Sequence, residues 1–381
     1  MLNPELAAVP AASHAVAAAS DAVTAAKAWA HPRPILQPPA RCEDGAVRVV
    51  VINGGVGGAR FLRGLVAIAR GATGSHPLPD ESELHITALT NTADDITLHG
   101  LRICPDLDTV MYTLGDGIDD ERGWGRFDES FTVQHELLAY GAGPAWFGMG
   151  DRDLATHLIR SHMLDAGYPL TDVTAALCER WQPGVDLLPM SDDRVETHVI
   201  TDHDGQRTAM HFQQWWLEHR AELPVHEFAF VGIDAATPTS AVQVALERAD
   251  AVLLAPSNPV VSTAPVLAVP GIRDLVRQRP VIGVSPIIGG APVRGYADAC
   301  LRAIGVDSTA AAVARHYGPR RDGGLLDGWL VDTVDAASCE ELASSGIEVR
   351  SLPLLMTTPH DATAIAQSAL ELATELAGGH R

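Results

Sequence analysis

The sequence predicts an α/β protein: a doubly wound, mainly parallel, Rossmann-like sheet with a mostly helical subdomain inserted into it. Three observations point there. Residues 47–52 are almost wholly β-branched, the composition of a strand buried on both faces. Four glycines then fall within five positions, at Gly54, Gly55, Gly57 and Gly58, before Ala59, Phe61, Leu62 and Leu65 recur at helical spacing. Farther along, short apolar runs alternate with helical patterns, the rhythm of βαβ units.

The first unit, strand, glycine turn and helix, is suited to an anion. Glycine lets a ligand approach the backbone closely. The first turn of the following helix offers unpaired N–H groups and the positive end of its dipole. A phosphate or diphosphate is the expected occupant. The turn lacks the Lys-Ser/Thr ending of a P-loop and matches the dinucleotide fingerprint only loosely. Tight helix–strand packing without a ligand would use the same glycines.

The second strand is expected at 85–90. It ends in Asn91-Thr92-Ala93-Asp94-Asp95, a polar cluster at a strand's carboxyl end, where open parallel sheets bind ligands. Residues 101–109 lead into a short helix at 110–114. Residues 118–225 break the rhythm: helices are expected near 131–140, 153–166 and 171–181. A hairpin turns across Asp204-Gly205, between 197–201 and 207–212. A helix follows at 213–220. The core resumes with strands at 228–233, 251–255, 281–285, 328–331 and 347–352, and helices at 239–248, 296–304, 308–316 and 360–377. This divides the chain into an Ala/Pro-rich extension at 1–45, a core at 46–117 and 226–381, and the insertion at 118–225. The extension is expected to be mostly disordered, and residues 75–80 to form a loop.

Size and charge narrow the function. The chain has 381 residues, 46% of them hydrophobic and 20% charged, enough for a large core. Its net charge of −21 argues against non-specific binding to nucleic acid or an anionic membrane. One anionic ligand remains compatible, because a glycine turn, an arginine or a metal ion can reverse the local field. No apolar run reaches membrane-spanning length. The five cysteines, Cys42, Cys104, Cys178, Cys300 and Cys339, form no Cys-x-x-Cys pair, and the odd count fits a reducing cytoplasm.

The chemistry-bearing groups are carboxylates. Asp94 and Asp95 follow a strand; Asp106 and Asp108 precede a helix. Carboxylates beside a phosphate cradle repel the ligand unless a cation intervenes, and Mg2+ takes such carboxylates together with phosphate oxygens. The plainer readings are a helix N-cap for Asp108 and an Asx turn at Asp94-Asp95. Ser257-Asn258-Pro259 and Ser285-Pro286 each follow an apolar strand, and two such turns on one sheet edge favour a site. Trp146, Phe147, Trp215 and Trp216 could stack on a flat ring, although core packing is the commoner use of such residues. His157, His162 and His211 show no zinc-ligand spacing.

Taken in order, several segments resemble the CofD/FbiA family, the 2-phospho-L-lactate or phosphoenolpyruvate transferases of deazaflavin coenzyme F-420 biosynthesis. They are Gly54-Gly55-Val56-Gly57-Gly58-Ala59-Arg60, Asn91 to Asp95, Ile103-Cys104-Pro105-Asp106-Leu107-Asp108-Thr109, Gly150-Asp151-Arg152-Asp153-Leu154-Ala155-Thr156-His157, Pro189-Met190-Ser191-Asp192-Asp193, His211-Phe212-Gln213, Ala255-Pro256-Ser257-Asn258-Pro259 and Ser285-Pro286-Ile287-Ile288. They span about residues 47–375. The Gly324-Leu325-Leu326-Asp327-Gly328-Trp329 segment is similar to the actinobacterial branch, which is associated with the phosphoenolpyruvate-derived donor.

The resemblance implies transfer of an enolpyruvyl-phosphate or 2-phospho-L-lactyl group. The donor would be a guanosine diphosphate derivative, the acceptor the ribityl hydroxyl of the deazaflavin Fo, and GMP the leaving group. It implies that Gly54, Gly55, Gly57 and Gly58 hold the donor phosphates, and that Asp94 and Asp108 hold Mg2+ and serve catalysis. Asp95 and Asp106 are further candidates for the metal. Asn91 and Thr92 would lie between the substrates, Ser257 and Asn258 at the guanosine end, and Ser285 on the same edge. The insertion would face the deazaflavin, and a homodimer is expected. One position departs from the archaeal pattern: Gly148 stands where some archaeal members carry lysine. Two rival readings compete with this one. A nucleotide-sugar-binding regulator of a related gluconeogenesis-linked family shares the glycine turn, but not the Pro-Asp-Leu-Asp-Thr segment. A nicotinamide dehydrogenase should carry an acidic residue about 20 residues beyond the glycines; Asp94 lies farther away.

Overall fold

In the computed structural model, residues 46–71 and 83–378 are described, all within the unit Asp44–Arg381. The extension at 1–45 and the loop at 75–80 lie outside the described residues. The valine-rich run forms strand β1, Val47–Asn53. Its alternate side chains serve two cores: Val50 and Ile52 join one apolar cluster, Val49 and Val51 the other. That is the period of two of a strand covered on both faces.

Six more strands complete the sheet: β2 Leu84–Thr90, β3 Asp186–Pro189, β4 Ala251–Leu254, β5 Val281–Val284, β6 Gly328–Val331 and β7 Glu348–Ser351. Their spatial order is β7-β6-β5-β4-β1-β2-β3, and every pairing is parallel. The chain winds outward from β1 in one direction, then returns to β4 and winds outward in the other. The topological switch point therefore lies between β1 and β4, and ligands of such sheets bind outside the carboxyl ends of the strands at that point.

Helix α1, Gly55–Ala69, leaves β1 directly and buries Ala59, Phe61, Leu62, Leu65 and Ile68. It crosses the C-terminal helix Pro359–Gly378 so closely that a Cβ on Gly64 would fall 2.2 Å from the Ala362 carbonyl oxygen. Helix α2, Pro105–Leu114, starts five residues before the expected 110–114 span. Proline at its first position is preorganised for a helix start, and Asp106 and Asp108 in the first turn complement the dipole. Those two aspartates are thus helical, not in a loop. An antiparallel ribbon, Ile96–Leu98 with Leu101–Ile103, leads into α2.

Between α2 and β3 lie the helix Thr132–Ala139, α3 Asp151–Asp165 and α4 Leu170–Trp181, close to the expected spans. The sequence reading is corrected at two strands. β3 comes from within 118–225 and forms the edge of the parallel sheet beside β2. The strand expected at 228–233 is Val225–Val231, and it lies outside the parallel sheet. It pairs antiparallel with Glu196–His203, which also pairs with Gln206–His211 across the Asp204-Gly205 turn. Val225–Val231 has no fully buried residue, unlike a central parallel strand. Among the described residues, no helix is long and apolar enough to cross a membrane.

Candidate active site

The glycine turn and the β4 turn are interlocked. Gly54 donates its N–H to Ser257 Oγ at 3.1 Å, and that hydroxyl donates to Gly54 O at 2.8 Å. A Cβ on Gly57 would fall 2.4 Å from Pro256 O, and one on Gly58 would fall 2.8 Å from Ser257 Oγ. A Cβ on Gly54 would meet Asp106 Oδ2 at 2.5 Å. These three glycines are required by the protein's own close packing. Gly55, at φ +63, is required by its conformation.

Asp106 joins the ends of β1 and β2. It accepts from Gly55 N–H at 2.7 Å and from Asn91 Nδ2 at 2.9 Å, while Asn91 Oδ1 accepts from Ala93 N–H. The first three N–H groups of a helix have no intrahelical acceptor. The carboxylate takes that of Gly55; those of Val56 and Gly57 have no partner among the described residues.

Asp94 and Asp95 stand beside Asp106. Asp94 is 5% exposed and its Oδ1 has no hydrogen-bond partner. Burial, then the charges of Asp106 and Asp95, push its pKa well above the ordinary value. Burial also raises Asp106, to about 6. Asp95 Oδ2 accepts from Arg102 Nε and Nη2 at 3.2 and 2.9 Å, leaving Oδ1 unpaired; burial still holds its pKa up.

This loop is held from behind by the antiparallel sheet. Three successive carbonyls accept from it or from the residues just after it: Ala93 O from Thr197 N–H at 2.6 Å, Asp94 O from Gln213 Nε2 at 3.5 Å, and Asp95 O from His211 Nε2 at 3.1 Å. His211 Nδ1 accepts from Gln213 N–H, which fixes a neutral ring with its proton on Nε2. Burial lowers its pKa, in keeping with the neutral form.

Asp108 faces elsewhere. Two residues apart on a helix, Asp106 and Asp108 project about 200° from each other. Asp108 Oδ1 accepts from Arg160 Nη2, and its Oδ2 lies 3.7 Å from His157 Nδ1. Burial raises its pKa despite Arg160 and His157. His157 Nε2 lies 3.3 Å from Asp153 Oδ2, and Tyr112 donates its hydroxyl to Asp153 Oδ1 at 2.6 Å. Asp108, Asp153 and His157 each bring one ligand atom within 4.8 Å of the others. In the sequence Asp153 and His157 stand within the 150–157 segment of the family resemblance, an acid and a histidine four apart on one helix face, with no individual role implied.

The structure thus gathers Gly54, Gly55, Asn91, Asp94, Asp95, Asp106 and Ser257 at the ends of β1, β2 and β4. Asp108 lies on the far side of α2. Thr92 is buried with an unpaired hydroxyl. Asn258 Oδ1 caps Val260 and Val261, and Ser285 Oγ closes its own turn on Ile287, so these side chains are engaged locally. Trp215 is core, with its Nε1 donating to Leu223 O at 3.0 Å. Trp146 and Phe147 pack edge to face at 6.1 Å, next to buried Met149.

The unpaired buried oxygens of Asp94 and Asp95 suit a hard divalent cation, which takes carboxylate ligands and offsets the cost of burying them together. A doubly wound sheet whose switch point carries a glycine turn and such carboxylates defines a Rossmann-like α/β enzyme. The chain belongs to the CofD family: the family model for 2-phospho-L-lactate transferase CofD matches residues 49–354. Several of its relatives are named phosphoenolpyruvate transferase. That of Thermobifida fusca is 58% identical over 330 residues, covering 87% of this chain and 99% of the relative. Those of Streptomyces griseus and Mycobacterium avium are 57% and 54% identical, covering 87% and 86% of this chain and 99% of each relative. The protein is accordingly a transferase enzyme. A crystal structure of a UPF0052-family protein from Bacillus halodurans shares the fold, with a TM-score of 0.56 at 16% identity, over 86% of this chain and 99% of that one.

Proposed function

We propose that the protein transfers the enolpyruvyl-phosphate group of a guanosine diphosphate-linked phosphoenolpyruvate to the ribityl hydroxyl of the deazaflavin Fo. The product is dehydro coenzyme F-420-0, and GMP is released. The observation that carries this reading is the Asp106 carboxylate bonded to the first N–H of α1 beside unpaired Asp94, at the switch point of a CofD-family chain. The names of the relatives favour the phosphoenolpyruvate donor over the phospholactate one.

In the proposed reaction the acceptor hydroxyl attacks the β-phosphorus. Its O–H bond breaks with the proton passing to Asp108 Oδ2 and on to solvent, a P–O bond forms, and the bond to the bridging oxygen breaks with its electron pair leaving on GMP. The free N–H groups of Val56 and Gly57 bind the diphosphate. Asn91 holds Asp106, and the Thr92 hydroxyl stands between the substrates. Asp94 and Asp106 would hold Mg2+, with Asp95 as a further ligand, and the bound ion would supply charge neutralisation at the diphosphate. Asp108, oriented by Arg160 and His157, turns its free Oδ2 to the acceptor hydroxyl. Ser257, Asn258 and Ser285 form the guanosine side through backbone groups, since their side chains are engaged. The 118–225 interval forms the deazaflavin side. The enzyme works in the cytoplasm as a homodimer.

The test is mass spectrometry of the product formed from Fo with each guanylylated donor, Mg2+ present. The enolpyruvyl product is lighter than the lactyl one by two hydrogens. No GMP release with either donor would overturn the proposal.

A further inference from the structure

We propose that Arg60 and Arg294 form a clamp for the carboxylate of the transferred group, a subsite that rests on the function proposed above. Arg60 lies in α1 and donates through Nη2 to Asp120 O at 3.2 Å. Arg294 lies just beyond the short ribbon Ile287–Ile288 with Ala291–Pro292 that follows β5. It donates through Nη1 to Arg122 O and through Nη2 to Glu121 O, both at 3.0 Å. Three successive carbonyls, of 120, 121 and 122, therefore gather two guanidiniums from separate parts of the fold.

The next residue fixes where this happens. A Cβ on Gly123 would fall 2.2 Å from Arg294 Nη1 and 3.2 Å from Val56 Cγ2. The Arg294 guanidinium consequently lies close to the first turn of α1, whose Val56 and Gly57 N–H groups are unpartnered. Arg60 starts farther along that helix, and helical side chains lean toward the N-terminus. Both cations and the helix dipole thus converge on one side of the glycine turn.

Neither guanidinium has a carboxylate within ion-pair distance among the described residues. The nearby acids are committed elsewhere: Asp120 pairs with Arg63 at 3.1 Å and Asp119 with Arg122 at 3.0 Å. The two arginines affect each other: burial, then the charge of Arg294, lowers the pKa of Arg60, and the Asp120 charge opposes this without reversing it. Gathering like charges on neutral carbonyls is unfavourable unless an anion completes the set. A guanidinium's planar donors match a carboxylate in two-point geometry. The diphosphate already has the helix amides and the candidate metal ligands. The remaining anionic group of the donor is the carboxylate of its substituted acrylate, next to the phosphorus that is attacked.

The experiment compares Arg60→Gln and Arg294→Gln with wild type. It uses steady-state kinetics with guanylylated phosphoenolpyruvate and calorimetric binding of GDP, which lacks the carboxylate. Each variant is expected to raise the donor KM about tenfold to a hundredfold. GDP affinity should stay within about twofold and the Fo KM should be unchanged, with Arg60→Lys recovering part of the loss. A donor KM equal to wild type overturns the clamp. So does a GDP affinity that falls as much as the donor's, since the cations would then serve the diphosphate. A wild-type protein that transfers nothing removes the proposed function itself, and the clamp with it.

Discussion

Asp106→Asn tests the electrostatics of the site most directly. The Asp106 carboxyl sits at about 6 instead of 3.8, because burial outweighs the hydrogen bonds from Asn91 and Gly55. Ionising it inside the fold therefore costs roughly 3 kcal/mol. A carboxyl whose folded pKa is raised contributes its stability below the unfolded value and loses it as pH rises through the folded one. Between about pH 4 and about pH 7, metal-free wild type should lose roughly 2 kcal/mol relative to the variant, whose amide does not titrate. At the acid end the variant should be the less stable, because its NH2 cannot accept from both Gly55 and Asn91. Urea denaturation in EDTA across that pH range measures the difference. Adding Mg2+ should stabilise wild type more at neutral than at acid pH, since the ion binds the ionised carboxylates. Parallel wild-type and variant curves would refute the reasoning, because the titration would then belong to another group.

Asp94→Asn should lower turnover by on the order of a hundredfold or more and raise the Mg2+ concentration needed, as read by GMP release against a Mg2+ titration. Arg160→Met leaves Asp108 buried without its cation and should cost about 3–5 kcal/mol by chemical denaturation, part of it recovered by adding Asp108→Asn. His211→Phe removes the N–H that holds Asp95 O and should cost about 1–2 kcal/mol while weakening Mg2+ dependence; His211→Gln, which keeps a donor, should restore much of both. Gly57→Ala drives a methyl to 2.4 Å from the Pro256 carbonyl oxygen. It should destabilise by about 2 kcal/mol or more in thermal denaturation, before any effect on the ligand.

What was legible in the sequence was what is local. The β-branched run, the four glycines and the helical spacing after them lie within one stretch, and they fold as read. The hairpin across Asp204-Gly205 is equally local, with positive φ at both residues as such a turn requires. The bond between Gly55 and Asp106 spans 51 residues and follows from the strand order, which no local pattern encodes. β3 was missed because four residues at a sheet edge carry too short a pattern to stand out from the helices around them. Val225–Val231 reads as a strand of the parallel sheet; only its partial exposure separates it from one. The start of α2 was placed late, although Pro105 marks it. His211 and His157 show no zinc-ligand spacing, and their contacts become visible only when the antiparallel sheet and α3 pack against the aspartates.

The two carboxylate groups differ in how much positive charge the protein itself provides. On the glycine side of α2, Asp94, Asp95 and Asp106 have one ion-paired guanidinium among them, that of Arg102. Fully ionised, they leave two negative charges, and burial is the first cause of the raised pKa of each. On the other side, Asp108 and Asp153 have Arg160 and the imidazole of His157. Burial pushes the Asp153 pKa up, but His157 and Tyr112 bring it below the ordinary value, so this carboxylate is already stabilised as an anion. A divalent ion matches the first deficit and exceeds the second, where it would also meet the Arg160 cation. Metal binding should therefore depend strongly on Asp94 and weakly on Asp153. Calorimetric Mg2+ titration of Asp94→Asn against Asp153→Asn distinguishes the two sides, and a larger loss in Asp153→Asn would place the ion with His157.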